Sequence, residues 1–147
     1  GIGSTDASIV QNKFSDSYLG ETSDTYGYYM SGTLYNNGSG TSGLTTFSTN
    51  DIVGMALDLD STQNTLKYYK NGSLVYTVNI PDNSSGWFFG SVHTNTQTSA
   101  RAKFNFGNGY FGSTQISSAG TNASGNGIFE YDVPTGYTAL STKGLNL

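Results

Sequence analysis

The 147-residue chain contains no cysteine, which excludes a disulfide framework, a thiol nucleophile and a cysteine zinc site. It is also poor in charge, because Asp, Glu, Lys and Arg make up only 11% of the residues, against roughly 25% in an average soluble domain. With six Lys and Arg and a net charge of −4, the chain lacks the positive field that attracts nucleic acids and anionic membranes. We therefore predict neither of these as a partner.

Long apolar runs and helical patterns are missing as well. No apolar run approaches the roughly 18 residues of a membrane-spanning helix, and no window repeats apolar residues at the 3.6-residue helical spacing. What is abundant is Ser, Thr, Asn and Gly (20, 19, 14 and 20 residues), together with 14% aromatic residues that can build a core. This composition favours one all-β domain over residues 1–147.

The clearest local pattern lies in the middle of the chain. Apolar residues alternate with small or polar ones between Asp51 and Asp60, which indicates a strand. A second strand follows at Leu66–Lys70, and Asn71-Gly72 then gives the strongest short hairpin signal. A third strand follows, in which Leu74, Tyr76, Val78 and Ile80 share one face. The sequence therefore predicts an antiparallel three-stranded meander.

Shorter candidate strands lie on both sides of the meander. They are predicted at Gly1–Ile9, Gly27–Met30, Thr33–Leu34, Trp87–Val92 (buried on both faces), Ala102–Phe106, Ile128–Val133 and Tyr137–Leu140. Two polar stretches, Asn36–Thr46 and Gly112–Gly127, are predicted as surface loops. Many short strands separated by turn signals indicate an antiparallel two-sheet β-sandwich.

Several segments, in order and spacing, resemble the SPRY family. They are Gly27-Tyr28, Gly32 to Tyr35, Asn50 to Gly54, Leu57 to Asp60, Lys67 to Gly72, Gly86 to Phe89, Phe104 to Gly107 and Pro134 to Leu140. The resemblance implies a bent, concanavalin-like sandwich. It also implies a non-catalytic module that binds proteins or peptides through loops at one edge.

The beginning of the chain departs from this family pattern. Gly1-Ile2-Gly3 resembles a strand that the family normally places after an earlier one. We therefore expect the chain to lack its first strand and to be part of a larger protein or assembly. Since an unpaired sheet edge exposes backbone groups, a longer precursor or a neighbouring subunit would supply that strand.

Four tyrosines form the candidate binding surface. Tyr26, Tyr28, Tyr29 and Tyr35 lie close together in a stretch with many loop signals. Tyrosine offers a large, rigid contact area at a small entropy cost, which suits a recognition surface or a subunit interface. The alternative is that these side chains only cap the open end of the sandwich.

Catalytic and metal sites receive little support. Asp58 and Asp60 would lie roughly 7 Å apart on a strand, a separation found in glycosidases, but both glutamates are distant in sequence and turn residues explain the aspartates. His93 is the only histidine, which leaves a zinc site short of ligands. Asp16, Glu21 and Asp24 lack a calcium-binding ladder. We predict no enzyme, no metal and no cofactor.

The function expected from these observations is a recognition or structural module on a virion or another extracellular assembly. The low-charge composition is similar to that of SPRY-like domains in phage and virus structural proteins, which is an argument by analogy. Two alternatives remain: a carbohydrate-binding or carbohydrate-active concanavalin-like domain that binds a surface glycan, and an intracellular peptide-binding adaptor. Scarce charge predicts a weak dependence of binding on salt.

Overall fold

The secondary structure is entirely β in the part of the chain that the computed structural model describes, residues 1–4, 18–82, 86–91, 102–118 and 127–140. The strands are β1 (Ile2–Ser4), β2 (Thr25–Tyr29), β3 (Thr33–Asn36), β4 (Ser39–Thr41), β5 (Val53–Asp58), β6 (Thr65–Lys70), β7 (Ser73–Asn79), β8 (Trp87–Phe89), β9 (Tyr110–Phe111) and β10 (Thr114–Gln115). They pair antiparallel in sheets of five, three and two strands. The predicted all-β class is confirmed.

The meander is present as predicted, with strand order β5-β6-β7. Lys70 pairs with Ser73, so Asn71 and Gly72 form a two-residue loop. Their φ angles are 48° and 79°, and a type I′ turn requires positive φ at both positions. The Asn-Gly dipeptide therefore sets the register of this hairpin.

The regular alternation breaks in β7. Tyr68 pairs with Tyr76 whereas Tyr69 pairs with Leu74, so Val75 is the additional residue of a β-bulge. The bulge leaves Leu74 56% exposed, while Val75 and Tyr76 pack against the core. The prediction that Leu74 shares an inward face with Tyr76 is wrong, because a period-two pattern assumes an unbroken register.

The five-stranded sheet has the order β4-β3-β2-β1-β8. The inner strand β1 pairs with β2 on one side and with β8 on the other. Among the described residues, β4 and β8 are the outer strands of this sheet. That a strand is donated from outside the chain stays a prediction.

A hairpin stands where the sequence analysis predicted a loop at Asn36–Thr46. Asn36 pairs with Ser39, and the intervening Asn37 and Gly38 have φ angles of 51° and 68°. This is a second Asn-Gly turn of the type found between β6 and β7. The loop prediction is wrong for Ser39–Thr41, where the turn dipeptide brings the chain back into the sheet, whereas residues 42–46 form no strand and are mostly exposed.

The two larger sheets share one core. Its buried members are Ile2, Tyr26, Tyr28 and Leu34 from the five-stranded sheet, Leu66 and Tyr68 from the meander, and Ile80 just after β7. The rings of Tyr28 and Tyr68 meet across the sheets with centroids 5.3 Å apart. Two sheets that bury their facing side chains in this way are consistent with a β-sandwich.

The strands predicted in the second half are shorter or absent among the described residues. β8 ends at Phe89, which is 37% exposed, so burial on both faces is wrong. Neither Ala102–Phe106 nor the segments Ile128–Val133 and Tyr137–Leu140 form strands. Part of the predicted loop Gly112–Gly127 pairs instead, as β10 with β9.

Side-chain hydrogen bonds explain in part why the predicted strand at Ala102–Phe106 does not form. Asn105 accepts a hydrogen bond from the Gly107 amide at 2.8 Å and donates one to the Ile128 oxygen at 3.0 Å. These bonds turn the chain directly after Phe106. Phe104 and Phe106 remain about half exposed and stack with centroids 5.8 Å apart. Thr5–Ile9, Val92 and His93 lie outside the described residues.

Two tyrosines near the end of the described chain, Tyr131 and Tyr137, lie against the meander. The Tyr131 ring lies against Gly72, where a Cβ atom would come within 2.8 Å of Tyr131 Cδ1. The Lys67 Nζ atom lies 5.2 Å from the centroid of the Tyr137 ring. Ala56, which pairs with Lys67, is only 7% exposed. These two tyrosines therefore cover part of a sheet face that would otherwise meet solvent.

Candidate functional site

The four predicted tyrosines lie on strands and not in loops. Tyr26 and Tyr28 face the core and are 5% and 8% exposed. Tyr26 packs against Trp87, and Tyr28 packs against Phe47 and donates a hydrogen bond from its hydroxyl to the Thr45 carbonyl. Burial raises the pKa of both hydroxyls. Their burial removes Tyr26 and Tyr28 from the candidate surface, as the period-two alternation of β2 could have indicated.

Tyr29 and Tyr35 lie on the opposite face, together with a third tyrosine. Tyr18, Tyr29 and Tyr35, which we call the tyrosine cluster, have ring centroids 6.2, 5.8 and 5.0 Å apart in the pairs 18–29, 18–35 and 29–35. Tyr18 is 39% exposed and the other two are partly exposed. Tyr18 was not among the predicted surface residues, because it is separated in sequence from the other tyrosines.

Glycines bring Tyr18 to this place. A Cβ atom at Gly27 would lie 2.1 Å from the Leu19 carbonyl oxygen, and one at Gly20 would lie 2.4 Å from the Tyr35 oxygen. Gly20 also has a φ angle of 100°, which side chains rarely allow. These two glycines let the segment before β2 lie directly on the outer face of the sheet. The Tyr29 hydroxyl donates a hydrogen bond to Leu19 O at 3.2 Å and fixes that segment.

The electrostatics of the cluster keep Tyr29 neutral. Burial raises the pKa of its hydroxyl to about 12, and Tyr18, Tyr35 and the Glu21 carboxylate add to the shift. A phenol in this state is a hydrogen-bonding and packing group rather than a base at neutral pH. Glu21 closes the turn that begins at Tyr18, since its amide donates a hydrogen bond to Tyr18 O at 3.1 Å. Its Oε2 atom is shielded from solvent and has no hydrogen-bond partner among the described residues.

The aspartate pair considered for catalysis belongs to a turn. Asp58 Oδ1 accepts hydrogen bonds from the amides of Asp60 and Ser61, and Oδ2 accepts one from the Ser61 hydroxyl at 2.7 Å. The Ser61 hydroxyl is the largest cause of a lowered pKa at Asp58. Both oxygens of this carboxylate are therefore engaged by their own loop, which supports a structural role for Asp58.

A polar cleft of about 370 Å³ lies beside that turn. Its lining comprises Leu59, Ser61–Asn64 and Ile80–Asp82. The walls are joined by a hydrogen bond from the Ile80 amide to the Asn64 oxygen, at 3.0 Å. Hydroxyl and amide groups dominate this lining, and Asp82 is its only charged side chain.

Metal-ligating clusters and membrane-spanning helices are both absent from the described ranges. They contain no group of three or more His, Asp or Glu residues placed to hold a metal ion; Asp16, considered above with Glu21 and Asp24, is not among them. The described part of the chain also has no helix of the length and apolarity that crossing a bilayer requires. The tyrosine cluster and the polar cleft are two candidate binding sites within the described part of the chain.

Comparison with known proteins gives no match. No protein-family model, no curated protein and no solved structure matches the chain. The resemblance to the SPRY family stays a prediction from the sequence motifs. The function is accordingly argued from the geometry of the tyrosine cluster.

Proposed function

We propose that the protein is a non-enzymatic recognition module with a SPRY-like, concanavalin-like fold, which binds a protein partner or a neighbouring subunit through the tyrosine cluster. The observation that carries this proposal is the placement of Tyr18, Tyr29 and Tyr35 together on the outer face of the five-stranded sheet. Tyrosine is enriched at protein interfaces, where its ring is apolar and its hydroxyl can bond.

The cluster is already ordered before any partner binds. Each ring is held edge to face by the other two, and Tyr29 is also anchored to Leu19 O. Side chains that are fixed in advance lose little rotamer entropy on association. A few aromatic anchors commonly supply most of the binding energy of an interface. Such an interface suits a chain in which only 11% of the residues are charged.

The order of the sequence motifs supports the SPRY-like fold, and the low-charge composition supports a place on a virion or another extracellular assembly. Strand pairing gives a second way to join an assembly. All three residues of β4 are exposed at the outer side of the five-stranded sheet. Exposed edges of this kind can accept a strand from a neighbouring chain.

The test compares partner retention by three forms of the chain. The double variant Tyr18→Leu/Tyr35→Leu removes two rings of the cluster, and Tyr110→Leu removes a 41% exposed tyrosine elsewhere. Proteins captured from the assembly or host-surface fraction are quantified by mass spectrometry at low and physiological salt. We expect the same protein to be retained by the natural chain and by Tyr110→Leu, at both salt concentrations, and lost from the double variant. Equal retention by the double variant would contradict the proposal.

The polar cleft favours a second candidate, the binding of a surface glycan. Saccharides are recognised through many hydroxyl groups, and the cleft offers Ser61, Gln63 and Asn64 beside the Asp82 carboxylate. Binding to a glycan panel that is lost in Asp82→Asn and kept in Tyr18→Leu/Tyr35→Leu would favour this candidate. Cleavage of any glycan that is lost in Asp58→Asn would instead indicate an enzyme.

A further inference from the structure

The three rings of the tyrosine cluster are arranged like the three faces of a corner. Its ring planes meet at 83°, 80° and 73°, so the three rings are nearly perpendicular to one another. The face of an aromatic ring is the negative side of its quadrupole. A positive group within about 6 Å of a ring centroid is attracted to that face. Three rings around one corner, with Tyr18 39% exposed, can offer such faces to a group arriving from solvent.

The carboxylate of Glu21 belongs to the same site as the tyrosine cluster. Glu21 is joined to the cluster by the hydrogen bond from its amide to Tyr18 O at 3.1 Å, and it makes the smallest of the contributions to the raised pKa of Tyr29. Its Oε2 atom is shielded from water and finds no hydrogen-bond donor in the described part of the chain. A shielded carboxyl oxygen without a donor is costly, and a ligand donor that meets it when the Glu21 side chain turns towards the cluster recovers that free energy.

The described lysines are all engaged elsewhere. Lys67 lies over Tyr137, Lys70 pairs with Asp51, and Lys103 bonds to Thr114. An anionic ligand would be repelled by Glu21, and a purely apolar anchor would leave Oε2 without a donor. The net charge of −4 also favours the approach of a positive group.

We propose that the tyrosine cluster and Glu21 bind a cationic side chain, preferably arginine, of the protein partner. This rests on the proposed function and names the group that the cluster recognises. A guanidinium is planar, stacks on aromatic faces and donates in a fork that matches a carboxylate. Arginine therefore fits both halves of the site, the ring faces and the Glu21 oxygen.

The test uses blocked amino acids as probes. N-acetyl-arginine amide is titrated into the full chain, with N-acetyl-citrulline amide as a neutral probe of nearly the same shape, and the tyrosine ring signals are followed by NMR. We expect the signals of Tyr18, Tyr29 and Tyr35 to shift, with arginine binding about two to thirty times more tightly than citrulline. Equal affinities, or shifts confined to other residues, would overturn the inference.

Conservative variants separate recognition from folding. Tyr35→Phe keeps the ring and should keep the preference for arginine, whereas Tyr35→Leu should lose most of it. Glu21→Gln keeps the shape of the carboxylate without its charge, so it should reduce the ratio of the two affinities. Backbone amide spectra show for each variant that the fold is intact, and Tyr110→Leu serves as the control. An unchanged ratio in both Tyr35→Leu and Glu21→Gln would overturn the inference.

The two proposals fail in different ways. If the double variant loses its protein partner but the chain does not prefer arginine to citrulline, the recognition function stands and the cationic ligand is wrong. If arginine is preferred but the double variant still retains its partner, the corner binds cations and the function proposed for the cluster is wrong.

Discussion

The hydroxyl of Tyr68 donates a hydrogen bond to the main-chain oxygen of Tyr26 across the interface between the two sheets, over 3.3 Å. Tyr68 is 1% exposed, and its burial raises the pKa of the hydroxyl. The ring also packs against Tyr28, so one side chain of the meander contacts two of the buried tyrosines in β2. Tyr68 is therefore a principal connection between the two sheets.

Two substitutions at Tyr68 should differ in cost. Tyr68→Phe removes only the hydrogen bond and should lower the free energy of unfolding by about 1 kcal/mol. Tyr68→Ala also leaves a cavity and should lower it by about 3–5 kcal/mol. Chemical denaturation measures both, with the exposed Tyr110→Phe as the control. Similar losses for Tyr68→Phe and Tyr68→Ala would mean that the ring adds little to the core.

Gly72→Ala should destabilise the chain more than Gly43→Ala. Both glycines have positive φ angles, 79° and 84°, so both variants carry a backbone cost of roughly 1–2 kcal/mol. A Cβ atom at Gly43 meets nothing within 4 Å, whereas one at Gly72 meets the Tyr131 ring at 2.8 Å. We expect an additional loss of about 1 kcal/mol or more at Gly72. Denaturation curves should show this excess disappear in a Tyr131→Ala background; an excess that persists there would contradict the packing described.

Asp51 should make stability depend on pH in the acid range. The Asn71 amide, the Ser48 amide and Lys70 lower the pKa of this carboxyl from 3.8 to about 2. Between these values the unfolded chain binds the proton while the folded chain does not, so the contribution is complete above about pH 4 and is lost as the pH falls towards 2. Urea denaturation from pH 2 to 5 should therefore give a flatter profile for Asp51→Asn.

Asp58 provides a comparison for the pH dependence of Asp51→Asn, because the pKa of Asp58 is also lowered. Asp58 is held by Ser61 in a different turn, so Asp58→Asn should remove a separate part of the same acid dependence. The double variant should have the flattest profile. If Asp51→Asn has the same profile as the natural chain, the network around Asp51 does not lower its pKa in solution.

Tyr137 should stabilise the meander through Lys67. The ammonium group lies 5.2 Å from the ring centroid, and an exposed cation–π pair contributes about 0.5–1 kcal/mol. Tyr137→Phe keeps the ring and should have a small effect, whereas Tyr137→Leu should lower the free energy of unfolding. The loss of unfolding free energy in Tyr137→Leu should be smaller in a Lys67→Met background. A double-mutant cycle by thermal or chemical denaturation measures this difference. No coupling between the two positions would contradict this contact.

Turn chemistry made part of the fold predictable. Asn71-Gly72 fixes a hairpin because both residues accept positive φ, a requirement that depends on adjacent residues alone. Asn37-Gly38 carries the same signal, so the β3–β4 hairpin could have been predicted as well. The bulge at Val75 could not, because it arises from the register between neighbouring strands.

The candidate site was only half predictable. Alternation along β2 places Tyr28 inside and Tyr29 outside, and this pattern can be read directly from the sequence. Tyr18 reaches the cluster only because the chain passes over Gly27 and turns at Gly20. That approach is a tertiary contact, which strand periodicity does not encode. The same holds for Tyr131 and Tyr137, which are placed by side-chain packing on the meander rather than by a strand ladder.

The position of β1 between β2 and β8 has a consequence for folding kinetics. Gly1 and Gly90, 89 positions apart, exchange hydrogen bonds of 2.9 Å on the ladder between β1 and β8. The hairpins β2–β3–β4 and β5–β6–β7 close over short sequence distances and can form as soon as their residues have been synthesised. Contacts between distant segments slow folding, so the pairing of β1 with β8 should form late, and the edge of β1 that faces β8 should stay unpaired until then. The sheet whose outer face carries the tyrosine cluster is thus completed late. Before β8 pairs, a chaperone or a second chain can bind to the open edge of β1.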